Sequence, residues 1–96
     1  MSSYRLTYSQ TCRKLIKKLH PEVKSDLKNE IEKLSAAPLI GKPLVEELSG
    51  YYSLSYRRYR VIYRVDDQRK VIEVHFAGHR RNIYEDFRKL LKEGLK

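Results

Sequence analysis

His79, Arg80, Arg81 and Tyr84 form the run with the most chemical potential in this chain, Gly78-His79-Arg80-Arg81-Asn82-Ile83-Tyr84. Two arginines and a histidine at the mouth of a helix could hold a phosphate together with backbone amides. His79, with an ordinary pKa of about 6.5, could give or take a proton near neutrality. It could equally do no more than cap the turn. Tyr84 follows the basic cluster by one helical turn and could stack on an unpaired base or contact a phosphate. Arg60 and Arg64, on a strand just upstream, carry the same kind of charge. Arg57 and Arg58 sit in a tight turn, either as ordinary solvated charge or as an extension of the strip along a nucleic-acid backbone.

Bulk properties point the same way. The chain has 96 residues and a net charge of +9, which favours a polyanionic partner such as nucleic acid, ribosome or an acidic protein. Residues 1–50 hold nine Lys/Arg against six Asp/Glu, mostly lysines interleaved with acids. Residues 51–82 hold eight against three, and seven of those eight are arginines. Arginine offers a planar fork that matches phosphate, whereas lysine serves solubility. An apolar fraction of 41% argues for a folded single domain over residues 1–96. The single cysteine, Cys12, cannot form an internal disulfide. The histidines lie outside any metal-ligand spacing, so no metal site is expected. The opening segment lacks the apolar core of a signal peptide and no run reaches membrane-spanning length, so a cytoplasmic protein with no membrane partner is expected.

The elements that must position these groups read as β-α-α-β-β-β-α. Tyr4–Tyr8 alternates as a short strand, and Ser9 is placed to cap a helix with Cys12, Leu15, Ile16 and Leu19 inward. Pro21 opens a second helix whose apolar stripe is Val23, Leu27, Ile31 and Leu34. Residues 38–50, with two prolines and two glycines, read as a loop. Three antiparallel strands are predicted at 51–56, 59–65 and 71–77, joined by short polar turns, with Gly78 ending the last. Asn82 then caps a closing helix with Ile83, Phe87, Leu90 and Leu91 on its apolar face. The fold class is α+β: an N-terminal strand and helical hairpin packed on one face of a mainly antiparallel sheet, with a C-terminal helix.

Alternation sorts the side chains. Tyr59, Val61, Tyr63 and Val65 share one face and join the core, so Arg60 and Arg64 point to the other. Burying unpaired arginines under a helical hairpin would cost several kcal/mol, at least about 2 for any unpartnered polar group, so these two belong on the uncovered face. Ser53 and Ser55 share a face with Tyr51. Ile72, Val74 and Phe76 are assigned to the core, leaving Glu73 and His75 opposite. The open face therefore collects Arg60, Arg64 and His75, with His79, Arg80 and Arg81 arriving from the adjoining turn.

The segment from Leu48 to Phe87 resembles the carboxy-terminal half of RelE/ParE superfamily toxins of type II toxin–antitoxin systems. The matching points are Leu48–Gly50, Tyr59-Arg60-Val61-Ile62-Tyr63, the acidic hairpin at Asp66–Asp67, and Gly78-His79-Arg80-Arg81 followed by Tyr84. The order of elements matches over nearly the whole chain, residues 1–37 in pattern only. The resemblance implies a toxin held inactive by a cognate antitoxin. In its RelE-like branch it implies a ribosome-dependent endoribonuclease that cuts mRNA through attack of the ribose 2′-OH, with no metal or small-molecule cofactor. A ParE-like inhibitor of DNA gyrase is the alternative. Carried over by position, Arg60 and Arg80 match arginines facing the scissile phosphate and Tyr84 the aromatic that orients substrate. His79 and Arg81 flank the second arginine as candidates for proton transfer and added phosphate contact; Arg57, Arg58 and Arg64, from the basic strip itself, are further candidate substrate contacts. The departure lies at Ser53 and Ser55, where well-studied RelE-type enzymes carry basic side chains.

Overall fold

The computed structural model describes residues 3–94; residues 1, 2, 95 and 96 of the expected domain lie outside the described residues. Five strands form one sheet: β1 (Arg5–Tyr8), β2 (Lys42–Pro43), β3 (Tyr52–Tyr56), β4 (Tyr59–Asp66) and β5 (Val71–His79). The helices are α1 (Gln10–Lys17), α2 (Pro21–Glu32) and α3 (Ile83–Lys92). Spatial order is β1-β5-β4-β3-β2, with β1 parallel to β5 and every other pairing antiparallel. The expected α+β architecture is therefore the observed one. One strand is new: β2, two residues inside the segment read as loop, pairs with Tyr52 and Ser53 as the sheet's outer edge. Two residues leave no alternation to detect, and Pro43 suits an edge because it has no N–H to donate.

Local signals set the hairpin of α1 and α2. Ser9 Oγ accepts the N–H of Cys12 at 3.0 Å and donates to the carbonyl of His75 at 2.9 Å, so one hydroxyl caps α1 and ties it to β5. Pro21 begins α2 behind His20, whose Nδ1 accepts the N–H of Glu22. Under these helices lies a core of Cys12, Ile16, Leu27, Ile31, Leu34, Val61, Tyr63, Ile72 and Val74. Burial there pushes the Cys12 thiol up to about 12, which keeps it protonated and unreactive.

A second cluster occupies the opposite face: Leu48, Ile62, Phe76, Ile83 and Phe87. Here the structure corrects the alternation. Pairing runs from Ile62↔Phe76 to Tyr63↔Val74, so His75 has no residue opposite it and forms a β-bulge. One extra residue reverses which face every later side chain takes. Phe76 consequently leaves the face of Ile72 and Val74 and meets Ile62 beneath α3. The face assigned to arginines is thus roofed in its middle by a helix. Gly78 does not end β5 either, since the strand continues through His79, opposite Tyr59. Asn82 stands at the cap position of α3, but its side chain makes no capping hydrogen bond.

Tyr63 locks the edge of the sheet. Fully buried and stacked on Tyr52 with centroids 5.5 Å apart, it accepts the N–H of Gly41 at 3.0 Å and donates to the carbonyl of Pro38 at 2.8 Å. A Cβ at Gly41 would lie 2.5 Å from that hydroxyl and 2.9 Å from the ring. Gly41→Ala is therefore expected to displace Tyr63 and destabilise the fold by about 1–3 kcal/mol, as overpacking typically does. Urea unfolding measures it; a change below ~0.5 kcal/mol, the usual scale of a surface substitution, would show that the clash relaxes freely.

Candidate nucleic-acid interface

Three rows of paired residues cross the sheet face beneath α3, which covers the middle row. Ser55, Arg60 and Gly78 stand opposite one another across β3, β4 and β5. Ser53, Ile62 and Phe76 form the middle row and are buried. Arg64 and Glu73 form the far row, with Tyr51 and the bulged His75 beside them.

The end at Arg60 carries the arginines. Arg57 and Arg58 make the two-residue turn from β3 to β4, with Arg57 in the left-handed region at φ 53°. That conformation is uncommon for a residue with a Cβ and marks a constrained turn. Arg60 runs back under it, its Nη1 donating to the carbonyls of Arg57 at 3.0 Å and Tyr59 at 2.8 Å. The other turn, Arg80–Asn82, is joined to the first by a bond from the Arg80 N–H to the Arg58 carbonyl at 2.6 Å. Arg57, Arg58, Arg80 and Arg81 thus stand on two linked turns, with Arg60 on the adjoining end of β4. Among the described residues none of the five makes an ion pair. Guanidinium groups without a carboxylate partner, carried on neighbouring short connections, are what a phosphate-rich ligand requires.

Two expected members of this group lie elsewhere. Arg64 is not an unpaired charge: its Nε and Nη2 both donate to Glu73 Oε1, at 3.1 and 2.9 Å, and its guanidinium lies over the Tyr51 ring. His75 meets the same carboxylate oxygen at 3.1 Å. Burial alone would raise the Glu73 pKa, but the hydrogen bonds from His75 and Arg64 overcome that and hold it below the ordinary value. This network belongs to the far row. His79 is the second case. Downstream of the bulge it shares the face of Tyr59, with ring centroids 6.0 Å apart, rather than the face of Arg60. Its Nδ1 accepts the N–H of Arg81 at 3.1 Å, so a neutral ring carries its proton on Nε2.

Tyr84 lies in the first turn of α3, half-buried against the second cluster. Its hydroxyl is 3.0 Å from Ser53 Oγ, and Ser53 is only 3% exposed. From sequence, Ser53 read as a missing basic residue; in the fold it is the partner that fixes Tyr84. Beside the Tyr84 ring lies a cleft of about 270 Å³ lined also by Lys42, Leu44, Val45, Leu48 and Arg88. Lys42 and Arg88 were not among the expected residues. Arg88 follows Tyr84 by one turn of α3, a spacing that would have revealed it; it pairs with Glu47 at 2.9 Å.

Comparison with known proteins gives this geometry its context. Residues 6–88 match the family described as ParE-like toxin of type II bacterial toxin–antitoxin system. Toxin RelG of Mycobacterium tuberculosis is 34% identical over 83 residues, covering 84% of this chain and 95% of that protein. In the M. tuberculosis RelBE2 toxin–antitoxin complex, a chain 32% identical superposes with a TM-score of 0.76 over 80% of this chain and 98% of its own length. A free-state mutant of the E. coli toxin RelE, 24% identical, shares the fold with a TM-score of 0.77 over 97% of this chain and 99% of its own. With the family match spanning most of its length and a toxin more than 30% identical, the chain belongs to the ParE-like toxin family of type II toxin–antitoxin systems.

Proposed function

We propose that this toxin is a ribosome-dependent endoribonuclease that cleaves mRNA, and that a cognate antitoxin restrains it by covering its basic face. The observation that carries this reading is the set of five arginines, four on two hydrogen-bonded turns and Arg60 on the adjoining end of β4, free of ion pairs among the described residues. The reaction is attack of a ribose 2′-oxygen on the adjacent phosphorus. The new P–O bond forms as the P–O5′ bond breaks, the 2′-OH proton is released, and the 5′-oxygen takes up a proton. Negative charge accumulates on the phosphoryl oxygens, so fixed guanidinium groups favour the transition state over the substrate. Arg60 and Arg80 are the groups assigned to that charge, with Arg57, Arg58 and Arg81 holding neighbouring phosphates. Arg64, engaged with Glu73, has no part in this.

His79 is the imidazole beside the arginine turns, and imidazole is the side chain whose chemistry suits proton exchange near neutrality. It lies on the Tyr59 side of the strand end, so substrate must wrap around the tip of β5 for His79 and Arg60 to serve one phosphate. The arginines accordingly take the larger share of catalysis and His79 the smaller. The Tyr84 ring, held through Ser53, offers a surface for a base to stack on. The alternative, inhibition of DNA gyrase, is favoured by one observation: no lysine or arginine stands at Ser53 or Ser55.

Arg60→Ala and Arg80→Ala are each expected to lower cleavage on programmed ribosomes about 100–1000-fold, the scale for losing one preorganised charge-stabilising group. His79→Gln should cost less than the ~100-fold lower bound of a full proton-transfer role. If His79→Gln costs more than either arginine, the division of labour is wrong. Induction followed by mapping of mRNA 5′ ends separates the two targets: intact transcripts during growth arrest, with supercoiling by purified gyrase blocked, would establish the alternative.

Ser53→Ala and Tyr84→Phe each remove one hydrogen bond and are expected to cost about 0.5–1.5 kcal/mol in urea unfolding. Tyr84→Ala should impair cleavage more than Ser53→Ala, because it deletes a stacking surface worth about 1–3 kcal/mol per base. Equal activity in both variants would remove the stacking role.

A further inference from the structure

The helical hairpin bears a second cationic site, remote in sequence from the arginine turns. A groove of about 330 Å³ between α1 and α2 is lined by Arg13, Lys17, Lys24, Lys28, Tyr8 and Ile16. Four of its six lining residues are cations, none is an acid, and among the described residues none of the four makes an ion pair. Two acids of α2 are engaged away from the groove. Asp26 accepts a hydrogen bond from Tyr56 at 2.7 Å, and Glu30 pairs with Lys33 at 2.7 Å. Asp26 and Glu30 share a separate groove with Asn29, Lys33 and Tyr56, apart from the cations that line the α1–α2 seam. Solubility alone would not require four such cations along one groove, since interleaved signs serve it equally well.

We infer that this groove binds the phosphodiester backbone of structured RNA, at a site separate from the arginine turns of β3–β4 and β5–α3. Arg13/Lys17 and Lys24/Lys28 are each four residues apart, about 6 Å along a helix axis, comparable to the separation of successive phosphates along a nucleic-acid strand. Two such ladders facing each other across a groove suit a charged backbone running along the seam. A protein partner fits less well. Interface cores in proteins are depleted in lysine and need apolar anchors. Here Ile16 is buried and Tyr8 half-buried, while the exposed large apolar residues Leu39, Ile40 and Val45 all lie in the 39–45 segment. Two separated cationic faces would let one RNA be held on the hairpin while another strand meets the arginine turns. The inference concerns backbone binding and does not depend on whether the turns cleave RNA.

The test uses the full chain and a fluorescent RNA duplex of about two helical turns, with affinity measured by anisotropy across a salt series. The variant Arg13→Ala/Lys17→Ala/Lys24→Ala/Lys28→Ala is expected to lose at least tenfold in affinity. The slope of log affinity against log salt should fall by about 2–4, one phosphate contact contributing about 0.9. Arg58→Ala/Arg81→Ala, at the turns, should change duplex affinity less, and matching thermal unfolding of both variants checks that they are folded. Should the quadruple variant fail to fold, Lys17→Ala/Lys28→Ala is measured instead, with about half the slope change expected. Unchanged affinity and slope would overturn the inference. So would a loss of binding to polyglutamate with none to RNA, which would make the groove a contact for an acidic peptide.

Discussion

His75 has no partner on β4, and that single unpaired position governs what both faces of the sheet can do. Upstream of it, Ile72 and Val74 point beneath the helical hairpin. Downstream, the parity of β5 is reversed, so Phe76 enters the opposite face, meets Ile62 and gives Ile83 and Phe87 of α3 an apolar seat. A regular strand would have left α3 facing His75 and Ala77. The same reversal sets Gly78 across from Arg60 and turns His79 toward Tyr59. The bulge is itself held, since the His75 carbonyl accepts the Ser9 hydroxyl that caps α1. Core, terminal helix and basic end of the sheet are in this way coupled through one residue.

Once α3 occupies the middle of that face, charge has only its ends to go to. The two ends solve the problem differently. At one, Arg64 pairs with Glu73 and His75 hydrogen-bonds to the same carboxylate oxygen. At the other, the arginines of the turns at Arg57–Arg58 and Arg80–Arg81 make no ion pair among the described residues, and a backbone hydrogen bond joins the two turns. Placing like charges together costs stability unless a ligand repays it. A polyanion offers that compensation, which is why the arginine turns, and not the Arg64–Glu73 pair, are read as the working part.

Most of the fold was legible in the sequence because periodicity reports burial. The stripe Leu27, Ile31, Leu34 and the alternation of Tyr59, Val61 and Tyr63 are consequences of having one wet side and one dry side, and Ser9 and Pro21 mark helix starts through local chemistry. What escaped has no local signature. A bulge inserts a residue without altering composition, so Phe76 and His79 were assigned to the wrong faces while each remained a plausible strand residue. A two-residue edge strand is too short to alternate. The pairing of Arg64 with Glu73, nine residues away, depends on register across a hairpin. Ser53 shows the subtler case: its type alone suggested a lost function, and only its proximity to Tyr84 reveals what it does. The basic residues of the site were found individually; their grouping needed the fold.

The central claim is that the linked arginine turns promote scission of an RNA phosphodiester through the neighbouring 2′-oxygen. Its most direct measurement is mass spectrometry of the mRNA ends left after the purified toxin meets ribosomes programmed with a defined message. A new 3′ end bearing a 2′,3′-cyclic phosphate, with a 5′-hydroxyl on the downstream fragment, is the expected result. An intact message under conditions where the toxin still arrests growth would contradict it.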